Sequence, residues 1–207
     1  MMGITLSELV IATRGLQNSY VFVETGSHIG DTIRMALDYG FKEVRSIELD
    51  DKHWRMCARR FALRNIPDPI FGNDLNMQTV PETRVKLYKG KSEDKLEEVI
   101  ADVDDKIVFW LDAHHSGEGT AGSFDTCPLI KELETIKNHP RKDHIILIDD
   151  VNHFLDETQK CYGVSVDEEL IHDKIRSINK DYTITWLSDV VLMASVEDGS
   201  EPNRKTD

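Results

Sequence analysis

The chain has 207 residues, of which 40% are hydrophobic and 30% are charged, a composition typical of one globular domain of ordinary size. Its 38 acidic residues outnumber its 25 basic residues, and the formal net charge is -13. Because a negative charge of this size repels the phosphates of DNA and RNA, we expect no nucleic-acid partner. The three cysteines are too widely spaced for a zinc knuckle or a disulfide framework. We also expect no signal peptide and no membrane-spanning segment, and hence a cytoplasmic location.

Apolar runs of strand length alternate with segments of helical period along most of the chain. The predicted strands are 20–23, 44–49, 85–88, 106–112 and 144–150, and the predicted helices between them are 31–40, 50–62, 92–100 and 126–138. Ser92 and Thr126 are the predicted N-caps of the last two helices. Alternation of this kind predicts a parallel sheet with helices on both of its faces.

The end of the chain departs from this alternation. The capping-box pattern SVDE at 165–168 predicts another helix, and the two strands predicted after it, 182–187 and 190–196, are separated only by Ser188 and Asp189. Two residues cannot form a parallel crossover, so we expect an antiparallel hairpin. We therefore predict one domain over residues 1–196, with an irregular excursion at 63–84 and a disordered polar tail at 197–207.

The first predicted strand runs into the segment ETGSHIG, which contains Glu24, Gly26, His28 and Gly30. Glycines at the carboxyl end of such a strand let the backbone approach a ligand. A dinucleotide fingerprint needs a third glycine where His28 stands, and the acid would repel a pyrophosphate. An acid at this place suits S-adenosylmethionine, which carries an ammonium and a sulfonium group. The alternative is a tight strand-to-helix turn that binds no ligand.

Two further positions extend the predicted ligand site. Glu48 ends the second strand, where an acid can accept hydrogen bonds from both hydroxyls of a ribose. Asp50 or Asp51 can cap the following helix without excluding that role. Lys91 and Ser92 follow the third strand, where a bound adenine would rest, although a capped helix start explains Ser92 equally well.

The fourth and fifth strands also end in acids, namely Asp112, which His114 follows closely, and the pair Asp149 and Asp150. Neighbouring parallel strands lie about 4.8 Å apart, so the three carboxylates can share one pocket. A cation would stabilise them: oxygen ligands alone favour Mg²⁺, Ca²⁺ or Mn²⁺, and added imidazole favours Mn²⁺, Fe²⁺ or Zn²⁺. The alternatives to a metal site are that Asp149 or Asp150 caps the following segment and that the histidines belong to a solvated loop. The glycine-bearing loop 113–127 lies over this pocket in the sequence-based arrangement and is a predicted lid.

Together these landmarks resemble the class I S-adenosylmethionine-dependent methyltransferases over residues 18–196. That family opens with acid-x-Gly-x-Gly-x-Gly, and this chain has Glu24-x-Gly26-x-His28-x-Gly30, with Glu48 as the second acid. The resemblance implies a Rossmann-like, three-layer α/β sandwich whose mostly parallel, seven-stranded sheet has the order 3-2-1-4-5-7-6 and ends in an antiparallel hairpin. It also implies a set of cofactor-binding residues: Glu24, Thr25, Gly26, Ser27, His28, Gly30, Glu48, Lys91, Ser92 and Asp112.

Within this class, the segments WLDAHHSG and ILIDDVNHF are similar to the metal-dependent sugar O-methyltransferases of the macrocin type. This second resemblance implies that Asp112, Asp149 and Asp150 hold Mg²⁺ or another divalent metal. We therefore expect an S-adenosylmethionine-dependent O-methyltransferase that acts on a small hydroxylated or sugar-like acceptor. Asp112 or His114 would take the proton of the acceptor hydroxyl.

Two alternatives remain open at this point. A polyamine-synthase-like aminopropyl transferase would bind ammonium groups, instead of a metal, in the acidic pocket. A non-catalytic S-adenosylmethionine-binding protein is compatible with His28 in place of a glycine. The expected partner is a small-molecule acceptor, and self-association into a homo-oligomer is left open.

Overall fold

A seven-stranded sheet forms the centre of the molecule. The computed structural model of the 207-residue chain describes residues 4–61, 83–113, 127–152, 160–161 and 164–196. The strands are β1 (Val21–Thr25), β2 (Glu43–Glu48), β3 (Val85–Lys89), β4 (Ile107–Leu111), β5 (Ile145–Ile148), β6 (Lys160–Cys161), β7 (Val164–Ser165), β8 (Thr183–Trp186) and β9 (Leu192–Ser195). The large sheet has the order β3-β2-β1-β4-β5-β9-β8, and β6 pairs with β7 in a separate two-stranded ribbon.

The strand pairing confirms the predicted fold class. Strands β1 to β5 pair in parallel, whereas β9 is antiparallel to both β5 and β8. Counted within the large sheet alone, the order is 3-2-1-4-5-7-6. Since β1 has β2 on one side and β4 on the other, the strand order reverses between β1 and β4, and a ligand cleft is expected at their carboxyl ends.

Helices cover both faces of the sheet and complete the three layers. They are α1 (Leu6–Thr13), α2 (Asp31–Tyr39), α3 (Asp51–Arg60), α4 (Ser92–Ile100), α5 (Leu129–Asn138) and α6 (Glu168–Ile178). Apolar side chains of α1, α2 and α3 pack on one face, around Phe22 and Trp110. Those of α4, α5 and α6 pack on the other, around Val23 and Phe109. Among the described residues, no helix is both long enough and apolar enough to cross a membrane.

Three local predictions differ from the structure. The connection between β8 and β9 is not two residues long but covers 187–191, because each strand is shorter than its apolar run, and Leu187 N–H donates to Val191 O at 2.9 Å. The N-cap of α4 is Lys91, without a side-chain bond, and Ser92 is already the first helical residue. The helix after β7 is capped by Asp167, whose carboxylate accepts the Leu170 N–H at 2.8 Å, so the SVDE pattern does not act as a capping box.

Two elements were not predicted from the sequence at all. Helix α1 begins with a capping box in which Thr5 and Glu8 exchange side-chain and backbone hydrogen bonds, a signal that the sequence does contain. The ribbon of β6 and β7 is too short to give a periodic pattern. The predicted cap Thr126, the tail 197–207 and most of the excursion at 63–84 lie outside the described residues.

Candidate functional site

The turn after β1 has a backbone conformation that glycine favours. Gly26, His28 and Gly30 have φ angles of 91°, 47° and 82°, all in the left-handed region. Gly30 is the N-cap of α2, and its N–H donates to Ser27 O at 2.8 Å. The turn therefore places the start of α2 directly beyond the carboxyl end of β1, as predicted.

At two places the turn packs too closely for any side chain. A Cβ added at Gly26 would lie 2.5 Å from the carbonyl oxygen of Asp112, and one at Gly30 would lie 2.9 Å from the ring of Phe61. The Asp112 N–H donates to Thr25 O at 3.1 Å, which extends the contact between β1 and β4 past the end of the strands. The two glycines thus bring the turn against β4 and α3.

Glu24 lies on β1 beneath this turn and has no exposed surface. Its Oε1 accepts the hydroxyl of Ser46 at 2.5 Å, and Ser46 is hydrogen-bonded in turn to Ser27. Within the described part of the chain, its Oε2 has no hydrogen-bond partner. Burial raises the pKa of Glu24 to about 8, against the lowering effect of Ser46, and the nearby Glu48 raises it further. Ser46 was missed from the sequence, where its only signal is a hydroxyl in the middle of a buried strand.

Glu48, at the end of β2, is held by two backbone groups. Its Oε2 accepts the N–H of His28 at 2.8 Å, and its Oε1 accepts the N–H of Asp50 at 2.7 Å. Burial raises the pKa of Glu48, while these two hydrogen bonds lower it. Each carboxylate oxygen has a second lone pair, so the group keeps acceptor capacity for a ligand hydroxyl.

Histidine side chains from two elements meet next to Glu48. The ring centroids of His28 and His53 are 4.6 Å apart in an edge-to-face arrangement. His53 lies in the first turn of α3, which Asp50 caps by accepting the His53 N–H at 2.9 Å, so the predicted cap is confirmed. His28 is exposed and was predicted, whereas His53 was missed because its spacing from ETGSHIG carries no signal.

The residues after β3 lie beside the same cleft. The Gly90 N–H donates to Glu48 O at 3.0 Å, which joins the ends of β2 and β3. Lys91 is exposed, whereas Ser92 is buried and its hydroxyl has no hydrogen-bond partner among the described residues. A buried hydroxyl in this position can bond to a ligand that enters between the two strands.

The acids after β4 and β5 also come together. Burial raises the pKa of Asp112 well above its usual range, and the charges of Asp149, Asp150 and Glu24 raise it further. Asp149 continues the ladder by donating its N–H to Leu111 O at 3.1 Å, and Asp150 has a positive φ of 48°. These acids therefore share the edge of the sheet that carries the glycine turn.

The predicted metal ligands do not form a metal site in the described part of the chain, where no group of three or more His, Cys, Asp or Glu side chains could hold an ion. His114 and most of the predicted lid lie outside the described residues. The metal prediction is therefore not confirmed, and we derive no reaction step through a metal.

No protein-family model matches the chain, and no curated protein matches it either. Solved structures do match. The methyltransferase PaMTH1 of Podospora anserina, bound to S-adenosylhomocysteine, is 16% identical with a TM-score of 0.55, and the match covers 95% of this chain and 80% of that one. An O-methyltransferase of Bacillus cereus, also in complex with S-adenosylhomocysteine, is 14% identical with a TM-score of 0.53 and coverages of 94% and 82%. A candidate rRNA methylase of Clostridium thermocellum is 12% identical with a TM-score of 0.56 and coverages of 94% and 98%.

Identities of 12% to 16% establish a shared fold and leave the ligand and the acceptor to be argued from this chain's own residues. The shared fold is the α/β architecture in which β1 and β4 flank the reversal of strand order. The chain therefore has the Rossmann-like fold of these methyltransferases.

Proposed function

We propose that the protein is an S-adenosylmethionine-dependent methyltransferase that acts on a hydroxyl group of a small hydroxylated or sugar-like molecule. The observation that carries this proposal is the joining of the glycine turn to Glu48 by the hydrogen bond from His28 N–H, at the point where strand order reverses. Acids surround this point, so a cationic ligand suits it better than a pyrophosphate does. Two of the solved structures with the same fold are bound to S-adenosylhomocysteine.

Each part of the cofactor has a matching group in the cleft. Glu48 would accept hydrogen bonds from the ribose hydroxyls, and the hydroxyl of Ser92 would bond to the adenine. The turn at Gly26 and Gly30 would let the amino-acid end approach the backbone, as would the N-terminus of α2. Glu24 is enclosed beneath the turn and keeps its proton up to about pH 8, so an ammonium group bound nearby would favour loss of that proton and then pair with the carboxylate.

The chemistry proposed is direct methyl transfer. The acceptor oxygen forms a bond to the methyl carbon while the bond from that carbon to sulfur breaks, and the sulfur leaves with the electron pair. Asp112 or His114 would take the proton from the acceptor hydroxyl. Burial and the neighbouring acids raise the pKa of Asp112, so its ionised form would be a stronger base than an exposed carboxylate. Positioning of the two reactants would supply most of the acceleration.

We extend the proposal to a divalent cation, such as Mg²⁺, near Asp112, Asp149 and Asp150. Support comes from the mutual repulsion of these carboxylates, which a cation would relieve. A cationic acceptor would relieve the same repulsion, which is the basis of the aminopropyl-transfer alternative. Metal dependence separates the two, because binding of a polyamine to these acids needs no metal.

The test is calorimetric titration with S-adenosylhomocysteine, with and without Mg²⁺, on the wild type and on Glu48→Ala and Asp150→Ala. We expect micromolar binding by the wild type and weakening of at least about a hundredfold by Glu48→Ala, since each of two lost charged hydrogen bonds is worth about 1.5–3 kcal/mol. Asp150→Ala should bind normally but lose methyl transfer. Absence of binding by the wild type under both conditions would refute the proposal, and full transfer by Asp150→Ala would refute the metal.

A further inference from the structure

His28 is the one residue of the glycine turn that has a positive φ, 47°, and a side chain. A non-glycine residue in this conformation is strained by roughly 1–2 kcal/mol, and strain of this kind is concentrated at functional sites. Gly26 and Gly30, on either side, avoid the strain. The conformation of the turn therefore does not explain why position 28 has a histidine and not a glycine.

The fold does not require the ring of His28. Both of its hydrogen bonds to Glu48 and Cys57 are made by its backbone: its N–H donates to Glu48 at 2.8 Å, and its carbonyl accepts the thiol of Cys57 at 3.2 Å. A glycine would keep both contacts and would relieve the strain. The ring itself is exposed and contacts the ring of His53.

His53 belongs to a different element and is well ordered by its surroundings. Its side chain is only 13% exposed, and its Nδ1 lies 3.6 Å from Oδ1 of Asp50. The two rings therefore bridge the turn after β1 and the first turn of α3. Glu48, which is 6% exposed, is bonded to the backbone of both turns. The histidine pair therefore lies beside the carboxylate of Glu48.

We propose that His28 and His53 form a single recognition unit for the ribose of a nucleoside ligand bound at Glu48. The proposal rests on the proposed function: it adds His53 to the expected cofactor-binding residues and gives the ring of His28 a defined role there. An imidazole ring presents a flat face to the carbon side of a ribose and an N–H donor to its oxygens. The edge-to-face contact fixes the orientation of the exposed ring of His28 against the more buried ring of His53.

The experiment compares His28→Gly, His53→Ala and the double variant by calorimetric titration with S-adenosylhomocysteine and with adenosine, alongside urea unfolding. We expect each single change to weaken both ligands about tenfold, and the double change to weaken them little more than either single change, because residues in contact are not additive. His28→Gly should leave the urea midpoint unchanged or raise it. A purely structural role would instead lower the midpoint and spare the affinity.

The matched control is His172→Ala on α6, a partly exposed histidine outside the site, which should leave both affinities unchanged. Wild-type affinity in His28→Gly would overturn the proposal, as would a loss confined to S-adenosylhomocysteine, which would place the contact at the amino-acid end. If the wild type binds and the variants bind equally well, only this inference fails. If the wild type does not bind, the proposed function fails with it.

Discussion

His139 and His144 are buried at the amino ends of β4 and β5, and all of their ring nitrogens are hydrogen-bonded. At the carboxyl end of β1, by contrast, the buried carboxylate of Glu24 has one oxygen without a hydrogen-bond partner in the described part of the chain. Both His144 and Glu24 are fully buried. They differ in whether the described part of the protein supplies every hydrogen-bond partner.

The histidine pair has only one arrangement of protons that satisfies its contacts. His144 Nδ1 accepts the Ile107 N–H at 3.1 Å, so the proton of its neutral ring is on Nε2, which lies 2.8 Å from His139 Nδ1. His139 then donates from Nε2 to Val103 O at 3.1 Å. Burial lowers the pKa of His144 to about 3, and the neighbouring His139 lowers it further. The ring nitrogens of this histidine pair therefore need no ligand to satisfy their hydrogen bonds.

The carboxyl end is crowded with groups of one charge. Glu24, Glu48 and Asp112 all have pKa values raised first by burial, and nearby acids raise them further. Internal hydrogen bonds therefore stabilise the histidine pair at the amino end of the sheet, whereas the carboxyl end has acceptors that a ligand can satisfy.

The largest effect expected at the carboxyl end follows from Gly26→Ala. The new Cβ would lie 2.5 Å from Asp112 O, and the residue would keep a φ of 91°, so we expect a loss of about 4 kcal/mol from overpacking and backbone strain together. Urea unfolding measures it. The control is Gly40→Ala, which has a φ of 104° but open space around it and should lose only the strain. Equal losses in the two variants would show that the contact with β4 is unimportant.

A smaller effect distinguishes the two ends by pH. Because the folded protein holds the Glu24 proton up to about pH 8 while the unfolded chain releases it near pH 4.5, stability should fall as pH rises between these values. The slope from this group is at most about 1.4 kcal/mol per pH unit. Glu24→Gln removes the titrating group, so its stability relative to the wild type should improve steadily from pH 5 to pH 7.5 in urea titrations. A constant difference would contradict the raised pKa.

The amino end should show the opposite pH dependence, over a lower pH range. The unfolded chain binds a proton on His144 below about pH 6.5, whereas the folded protein does so only near pH 3, so stability is lost as pH falls through this interval. The expected loss is about 2 kcal/mol between pH 6.5 and pH 5. In His144→Gln, whose amide oxygen can accept the Ile107 N–H, this loss should be absent. The control His172→Gln should retain it, and equal pH profiles in the two variants would refute the assignment.

The sequence predicted the fold through its periodicity. The doubly buried strands β4 and β5 are continuous apolar runs, and the strand–helix alternation is regular, so a parallel sheet was predictable from the residues. The strand order came from the resemblance to the class I methyltransferases. The helix caps were less predictable. Lys91, a residue that rarely caps, precedes α4 where Ser92 was expected, and Asp167 caps α6 from inside the SVDE pattern.

At the site, the residues on β1 and β2 were predictable because they occur at strand ends in a recognisable order. Ser46 and His53 were not predictable from the sequence. Ser46 bonds to Glu24 on the neighbouring strand, and His53 contacts His28 from a different turn. Neither pair has a characteristic spacing along the chain. The three aspartates were predicted to meet, and the charges of Asp149 and Asp150 do reach Asp112, but the set of atoms needed to hold a metal depends on side-chain directions that a sequence does not specify.

The close approach of Gly26 to the Asp112 carbonyl joins backbone to backbone, with no side chain between them. This contact is therefore made of atoms that every amino acid shares, and it does not depend on which side chain stands at position 112. Variants designed to change the acceptor should keep Gly26, because any side chain there would push the turn away from the end of β4.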